Sequence, residues 1–331
     1  MKAHIPFPSI EQFRHVVKEV QNKSRWVGKD ENGEPIFDRT KPLPILNFLG
    51  TVKLHGTNAS VVVSGEEVYF QSRNNVITPE KDNAGFANWA SLFPIGVWKS
   101  LYTKSDNFVI YGEWCGQGIQ KGVAISELPK MFVVFKIRVG DEWLIPEKFD
   151  GAFQSSGIYS ITDFQTFNHE VDFNAPKQSQ NYFREVTEQV ELECPVGKAF
   201  GVSGVGEGVV WTCVTEGYES SKFMFKVKGE KHSASKVKTL AAVDIEKVNS
   251  IKEFAEKVVT ENRCLQGIDY LKEQGFEVSE KSTGHFLKWL NGDVIKEESD
   301  TIEASGLEQK DIGQTVSKHG KLWFFEYLNK Q

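Results

Sequence analysis

A chain of 331 residues is too long for one small core and short for three, which sets an expectation of one large domain and one smaller. Its hydrophobic share of 40% and charged share of 25% are those of an ordinary folded chain, and no apolar run reaches the roughly 20 residues of a membrane helix. The net charge of −6 argues against a protein that coats nucleic acid by bulk charge, and the four cysteines, Cys115, Cys194, Cys213 and Cys264, form no CxxC pair, which excludes a Cys-rich zinc site and suits a reduced cytoplasm.

The opening MKAHIPFPSIEQF lacks the apolar stretch of a signal peptide. Ser9 followed by Gln12 reads as a capping box, and Ile10, Phe13, Val16, Val17 and Val20 recur at helical spacing behind it. Residues 24–44, rich in Gly, Pro and charge, break that period and predict a surface excursion. The period then drops to two. Short β-branched or aromatic runs near 50–53, 58–63, 68–72, 108–114, 132–139, 208–214 and 223–228 predict a mainly antiparallel sheet. Residues 150–200 are polar and aromatic with weak periodicity, and predict nothing definite. From about 240 the texture is helical: Ser250 and Glu253 form a second capping box, Gly275 marks a helix end, and 285–298 and 311–328 continue the pattern. The predicted division is therefore 1–239 and 240–331.

No GxxxxGK[ST], HExxH or GxSxG motif is present, and GVSGVGEG and GEWCGQG only imitate a dinucleotide fingerprint. Attention falls instead on Lys53, a lysine in a half-apolar strand followed by a His55-Gly56-Thr57-Asn58 turn. A lysine amine becomes a nucleophile when desolvation or neighbouring cations depress its basicity, and such a turn admits a ligand close to the backbone. In FMFKVKG, alternation puts Phe223, Phe225 and Val227 on one face and Lys226 and Lys228 on the other, a pair suited to a polyphosphate or to a wet sheet face. Lysines 222, 226, 228, 231, 236 and 238 with His232 face one acid, Glu230, making a basic island in an acidic chain. Glu113 and Glu207 sit at strand ends beside glycines, where a carboxylate accepts a hydroxyl, helps to hold a divalent cation, or merely solvates a turn.

The order KLHGTN, SRNN, YGEW, FVVFKI, EGVVW, FKVK resembles the six collinear motifs of the covalent nucleotidyltransferases. The K-x-H-G-T-N form at Lys53, with GEWCGQGIQKGV at 112–123, is similar to the RNA ligase 2 family of phage and trypanosome editing ligases. The likeness spans roughly residues 50 to 240, and VTENRCLQGI at 259–268 extends it thinly into the tail.

The resemblance implies an α+β architecture: an antiparallel-sheet, ATP-grasp-like nucleotidyltransferase domain followed by a small all-α domain. It also implies an ATP-dependent RNA ligase acting through lysyl-AMP, with Mg²⁺ as cofactor and Mn²⁺ as a substitute. Lys53 would take AMP; Leu54 and His55 would lie along the nucleotide, His55 orienting phosphates. Glu113 would read the ribose, Phe135 would stack on adenine, Glu207 would serve the metal, and Lys226 and Lys228 would contact phosphates. Asn58 and Arg73 would serve the nucleotide and the RNA 5′-phosphate, and Lys231 and Arg263 would touch RNA. The partners implied are RNA ends, at nicks in duplex RNA, met by a monomer with no membrane role in a cytoplasm, the host's if the chain is of phage origin. One departure stands out, since the family's usual aspartate after the stacking phenylalanine is here Lys136. The alternatives are a DNA ligase or capping-type transferase, opposed by His55 where those carry aspartate, and a catalytically silent nucleic-acid-binding protein, opposed by the full set of reactive residues.

Overall fold

The computed structural model describes residues 2–233 and 250–330. Alternation does most of the folding. Along the strand Ile45–Lys53, Leu46, Phe48 and Val52 are buried on one face while Thr51 and Lys53 lie on the other. This strand sits inside a four-stranded antiparallel sheet ordered Thr166–Asp172, Ile45–Lys53, Gly208–Cys213, Met224–Lys228. Its apolar face is covered by the helices Phe13–Arg25 and Gln178–Leu192, where Phe13, Phe183, Trp211 and Phe225 meet with ring centroids 4.8 to 5.0 Å apart. Gly50 is what lets the Trp211 ring lie flat there, since a Cβ would come within 2.8 Å of it.

A second sheet runs Ile158–Ser160, Met131–Val139, Asn107–Cys115, Thr57–Ser64, Glu67–Ser72, Val76–Ile77, with Glu142–Leu144 hydrogen-bonded alongside Met131–Val139. Among the described residues its only parallel pairing is Ile158–Ser160 with Met131–Val139. One face packs on Phe86, Trp98 and Leu101; the other, through Val62, Tyr69, Val109 and Tyr111, holds Phe7 of the N-terminal segment and Met224 of the first sheet. The two sheets thus face each other across a shared space. Beyond residue 250 the helices Ile251–Val258, Glu261–Glu273, Thr283–Glu297, Ser299–Ser305 and Gln309–Leu328 enclose a separate core around Phe254, Ile268, Phe286, Leu290 and Phe324. The chain is therefore α+β with antiparallel sheets and a helical C-terminal region, as expected; the boundary at 239/240 falls outside the described residues.

Several local expectations are corrected. The first helix begins at Phe13, and its N-cap Gln12 makes no side-chain cap bond, because tertiary partners take both ends of the supposed box: Ser9 Oγ accepts from Arg73 and Lys296, and Gln12 Nε2 donates to Glu297. The excursion at 24–44 holds a hairpin, Trp26–Lys29 with Pro35–Phe37. The run from 251 to 273 is two helices, broken at Val259, with Thr260 accepting from the Arg263 amide at the new start; Ser250 likewise accepts from Glu253 N, and Gly275 follows the second helix at φ +73°. Residues 150–200 supply packing: edge strands at Ile158–Ser160 and Thr166–Asp172 and the helices Gln178–Leu192 and Pro195–Ala199. Among the described residues, no helix is long and apolar enough to cross a membrane, and all four cysteines are buried and free.

Candidate active site

Lys53 is the last residue of its strand, and only Leu54, His55 and Gly56 separate it from Thr57, the first residue of a strand in the other sheet. The lysine therefore stands where the chain crosses between sheets. Register places Lys53, Gly208 and Lys228 abreast. Gly208 has a positive φ of +149°, and a Cβ on it would meet the Val227 carbonyl oxygen at 2.1 Å, so the position between the two lysines is necessarily bare. Both lysines turn to its neighbour: Lys53 Nζ donates to Glu207 Oε2 at 2.7 Å, and Lys228 Nζ lies 2.9 Å from Oε1. His55 Nδ1 is 3.5 Å from the same carboxylate and its ring packs edge-on against His232 at 5.4 Å. Burial would push the Glu207 carboxyl up, but Lys228, Lys53 and His55 outweigh it and hold it well below the usual carboxylate range. Burial lowers the Lys228 ammonium, against the pull of Glu207.

The second sheet supplies Glu113, which stands opposite Asn58 in register. Its Oε1 accepts from Gly56 N at 3.0 Å, tying the turn after Lys53 to the neighbouring sheet. Gly56 must be a glycine for this approach, because a Cβ would sit 2.4 Å from the Trp114 carbonyl oxygen. Burial raises the Glu113 carboxyl to about 7, with Lys53 pulling the other way.

Lys53, Lys228, Asn58 and Glu113 border one cavity of about 330 Å³ between the sheets. Its apolar lining includes Phe7, Ile10, Leu54, Phe135 and Met224; its basic side chains are Lys53, Arg73, Lys136, Lys226, Lys228 and Lys296. An apolar recess joined to clustered ammonium groups is chemically matched to a nucleoside polyphosphate. The helix Thr283–Glu297 closes one side: Glu297 Oε1 lies 3.0 Å from Lys226 Nζ, while Gln12 Nε2 donates to Oε2 at 3.2 Å. Lys226 and Gln12 overcome the effect of burial and hold the Glu297 carboxyl down to about 2.

Among the described residues, no group of three or more His, Cys, Asp or Glu side chains could by itself hold a metal ion. A single ionised carboxylate at Glu207 beside a cavity lined by lysines nevertheless fits Mg²⁺, which is often bound through one or two carboxylates with substrate phosphates and water completing its shell.

The family model for RNA ligase matches residues 46–228, more than half of the chain and all of the strands that build this cavity. The chain belongs to the RNA ligase family. No curated protein matches it. Solved structures that it resembles include Naegleria gruberi RNA ligase as a lysine-to-alanine variant with ATP and Mn (15% identity, TM-score 0.43, covering 70% of this chain and 58% of that one). The same ligase with PPi matches at 16% identity and TM-score 0.43 over 70% and 58% of the two chains, and an apo aspartate-to-alanine variant at 17%, 0.43, 70% and 59%. The chain thus spans under two thirds of the length of these Naegleria ligases.

Of the residues singled out from the family's motifs, Lys53, Leu54, Asn58, Arg73, Glu113, Phe135, Lys226 and Lys228 all line the cavity; Glu207 is paired with two of its lysines, and His55 lies against Glu207. Lys231 lies outside that lining, in the short turn after the Lys226–Lys228 strand, its amide donating to Glu191. Arg263 is a correction. It is 1% exposed, its guanidinium spent on Asp293 at 2.9 Å, Glu298 at 3.2 Å and the Val258 carbonyl at 2.8 Å, so it holds the helical core together and does not present itself to RNA. Lys236 and Lys238 of the basic island fall outside the described residues. Sequence reasoning missed Phe7, Ile10, Asp293, Lys296 and Glu297, which reach the cavity from outside the motif region and carry no local signal of doing so.

Proposed function

We propose that this chain is an ATP-dependent RNA ligase that joins 3′-OH and 5′-phosphate ends at nicks in duplex RNA, working as a monomer in the cytoplasm. In this reading residues 1–239 form the nucleotide-transfer unit and 240–331 a helical companion. The observation that carries the reading is the convergence of Lys53, Lys228 and Glu207 within 2.9 Å at the wall of a nucleotide-sized cavity, in a member of the RNA ligase family.

The polyphosphate of ATP lies against Lys226 and Lys228, with adenine in the apolar lining against Phe135 and the ribose hydroxyls at Glu113. Entry of the phosphates draws Lys228 away from Glu207 and leaves Lys53 facing the α-phosphorus. Once its ammonium has lost a proton, the Lys53 amine attacks; the new N–P bond forms as the Pα–O bond to pyrophosphate breaks. His55 orients the phosphate being transferred. AMP then passes from Lys53 to the 5′-phosphate of RNA, held near Arg73 and Asn58, and a 3′-hydroxyl displaces AMP to leave a phosphodiester. Mg²⁺, or Mn²⁺ in its place, held by Glu207 with phosphate oxygens, would offset charge on the transferring phosphate.

The test is incubation with α-phosphate-labelled ATP and magnesium, then denaturing electrophoresis, with Lys53→Ala and labelled GTP alongside. An acid-labile protein band from ATP, absent in the variant, is expected. Labelling by GTP instead would move the chain to capping chemistry, and no label from folded, initially unadenylylated protein would sink the ligase reading. Sealing of nicked duplex RNA against single-stranded RNA and nicked DNA then decides the polynucleotide.

A further inference from the structure

One buried amine on the cavity has no part in the reaction as described. Lys136 is 4% exposed, borders the cavity, and its Nζ has no hydrogen-bond partner; none of the described ion pairs includes it. It is there because of a bulge. The ladder between Asn107–Cys115 and Met131–Val139 pairs Tyr111 with Lys136 but Gly112 with Val134, leaving Phe135 as the extra residue. A bulge of this kind breaks strict alternation, so that the neighbouring Phe135 and Lys136 both reach the cavity. Around them lie Phe7, Tyr111, Met224 and Trp143, an apolar setting in which an unpaired amine is costly.

We propose that Lys136 is a specificity-determining residue that reads the nucleobase, its side-chain nitrogen hydrogen-bonding a ring nitrogen of adenine stacked on Phe135. This rests on the ligase reading above. Three observations favour the base over the phosphates. The neighbouring rings are aromatic, where a planar base packs. The phosphate-facing lysines each have a carboxylate within 3.0 Å, and Lys136 has none. Burial alone lowers its amine, to about 7, with no charged neighbour contributing, which sets it apart from the Glu207 cluster. Near neutrality a large share is therefore uncharged amine, able both to donate to a ring nitrogen and to accept from the exocyclic amino group beside it. The flexible four-carbon stem allows the head group to turn to a bound base, which supplies the partner that no protein group offers it.

The test compares lysyl-adduct formation from ATP, 7-deaza-ATP and 1-deaza-ATP in the unaltered protein and in Lys136→Met, which keeps the length and apolar stem. The unaltered protein is expected to require about tenfold more of one analogue than of ATP for half-maximal labelling, the size of one hydrogen bond to a base. Discrimination against the 7-deaza compound identifies N7, against the 1-deaza compound N1. In Lys136→Met that discrimination should vanish. The unliganded variant should melt no lower than the original, because it loses an unpartnered amine and no contact; should it not fold, Lys136→Leu takes its place. If the unaltered protein uses all three nucleotides alike, or the variant keeps the original ranking, the inference is overturned while the ligase reading stands. Absence of any adduct from ATP sinks both.

Discussion

At Glu207 one carboxylate serves two lysines and a histidine, and it is itself almost wholly buried beneath their partly exposed side chains. Removing its charge leaves the Lys228 ammonium inside the protein without an anion. Glu207→Gln should therefore cost about 3 to 5 kcal/mol of stability, read as a lowered urea midpoint, and a loss under 1 kcal/mol would mean that solvent already neutralises the lysines. Arg73 is placed differently, on the cavity rim and bonded to Ser9 at 3.4 Å with no contact to the Glu207 cluster. Arg73→Ala is expected to reduce nick sealing at least tenfold more than lysyl-AMP formation; equal losses in the two assays would remove the distinction between a nucleotide site and an RNA-end site. That Lys53, Glu113 and Lys226 share one cavity was legible in the sequence because motif order and strand alternation are local properties. Arg263 was not, since a motif records which residue is present and not whether three carbonyl and carboxylate partners enclose it.

Elements show the same limit on a larger scale. Strands were read well, because period-two alternation is imposed by each strand's own two faces, whereas helix starts were misread where a distant side chain competed for the cap. The Phe13–Arg25 helix illustrates this. Its first turn is tied to the C-terminal helices, Arg14 Nη2 donating to the Glu297 carbonyl at 2.8 Å and His15 Nε2 meeting Asp300 at 3.0 Å. Burial lowers the His15 imidazolium, yet Asp300 and Glu11 more than reverse it and raise it to about 9 from an ordinary 6.5. A group raised on folding stabilises fully below its unfolded value and loses that contribution as pH climbs through the folded one. Thermal stability should accordingly fall between pH 6.5 and 9, by about 1 kcal/mol once solvent screening is allowed for, and His15→Gln should flatten the slope; an unchanged slope would show that the tie carries no proton. The turn after Lys53 makes a second element-scale prediction. Gly56→Ala drives a methyl group into the Trp114 carbonyl and should cost about 1 to 3 kcal/mol, with loss of lysyl-AMP formation where the Glu113 bond is displaced.

Across the whole molecule, the motif region and the helical region meet at the cavity itself. Glu297, from a helix more than two hundred residues away in sequence from Lys53, holds the lysine that the ligase reading assigns to phosphate. Glu297→Gln should tighten binding of inorganic pyrophosphate several-fold, measured by calorimetry at low salt, because the carboxylate no longer competes for Lys226; weaker binding would show that Glu297 positions that lysine for the phosphates instead.

The Glu297 contact also bears on how an acidic chain can keep six basic side chains around one hollow. Glu207 and Glu297 act as resident counter-ions, so these lysines face one another without the mutual repulsion that bare ones would suffer. In the ligase reading a triphosphate enters by exchange of partners: its oxygens take over lysines that Glu207 and Glu297 hold, while both carboxylates keep their charge beside the cavity. On that reading nucleotide capture is a trade of partners, and the dependence of affinity on salt should be shallower than a count of the lysines implies.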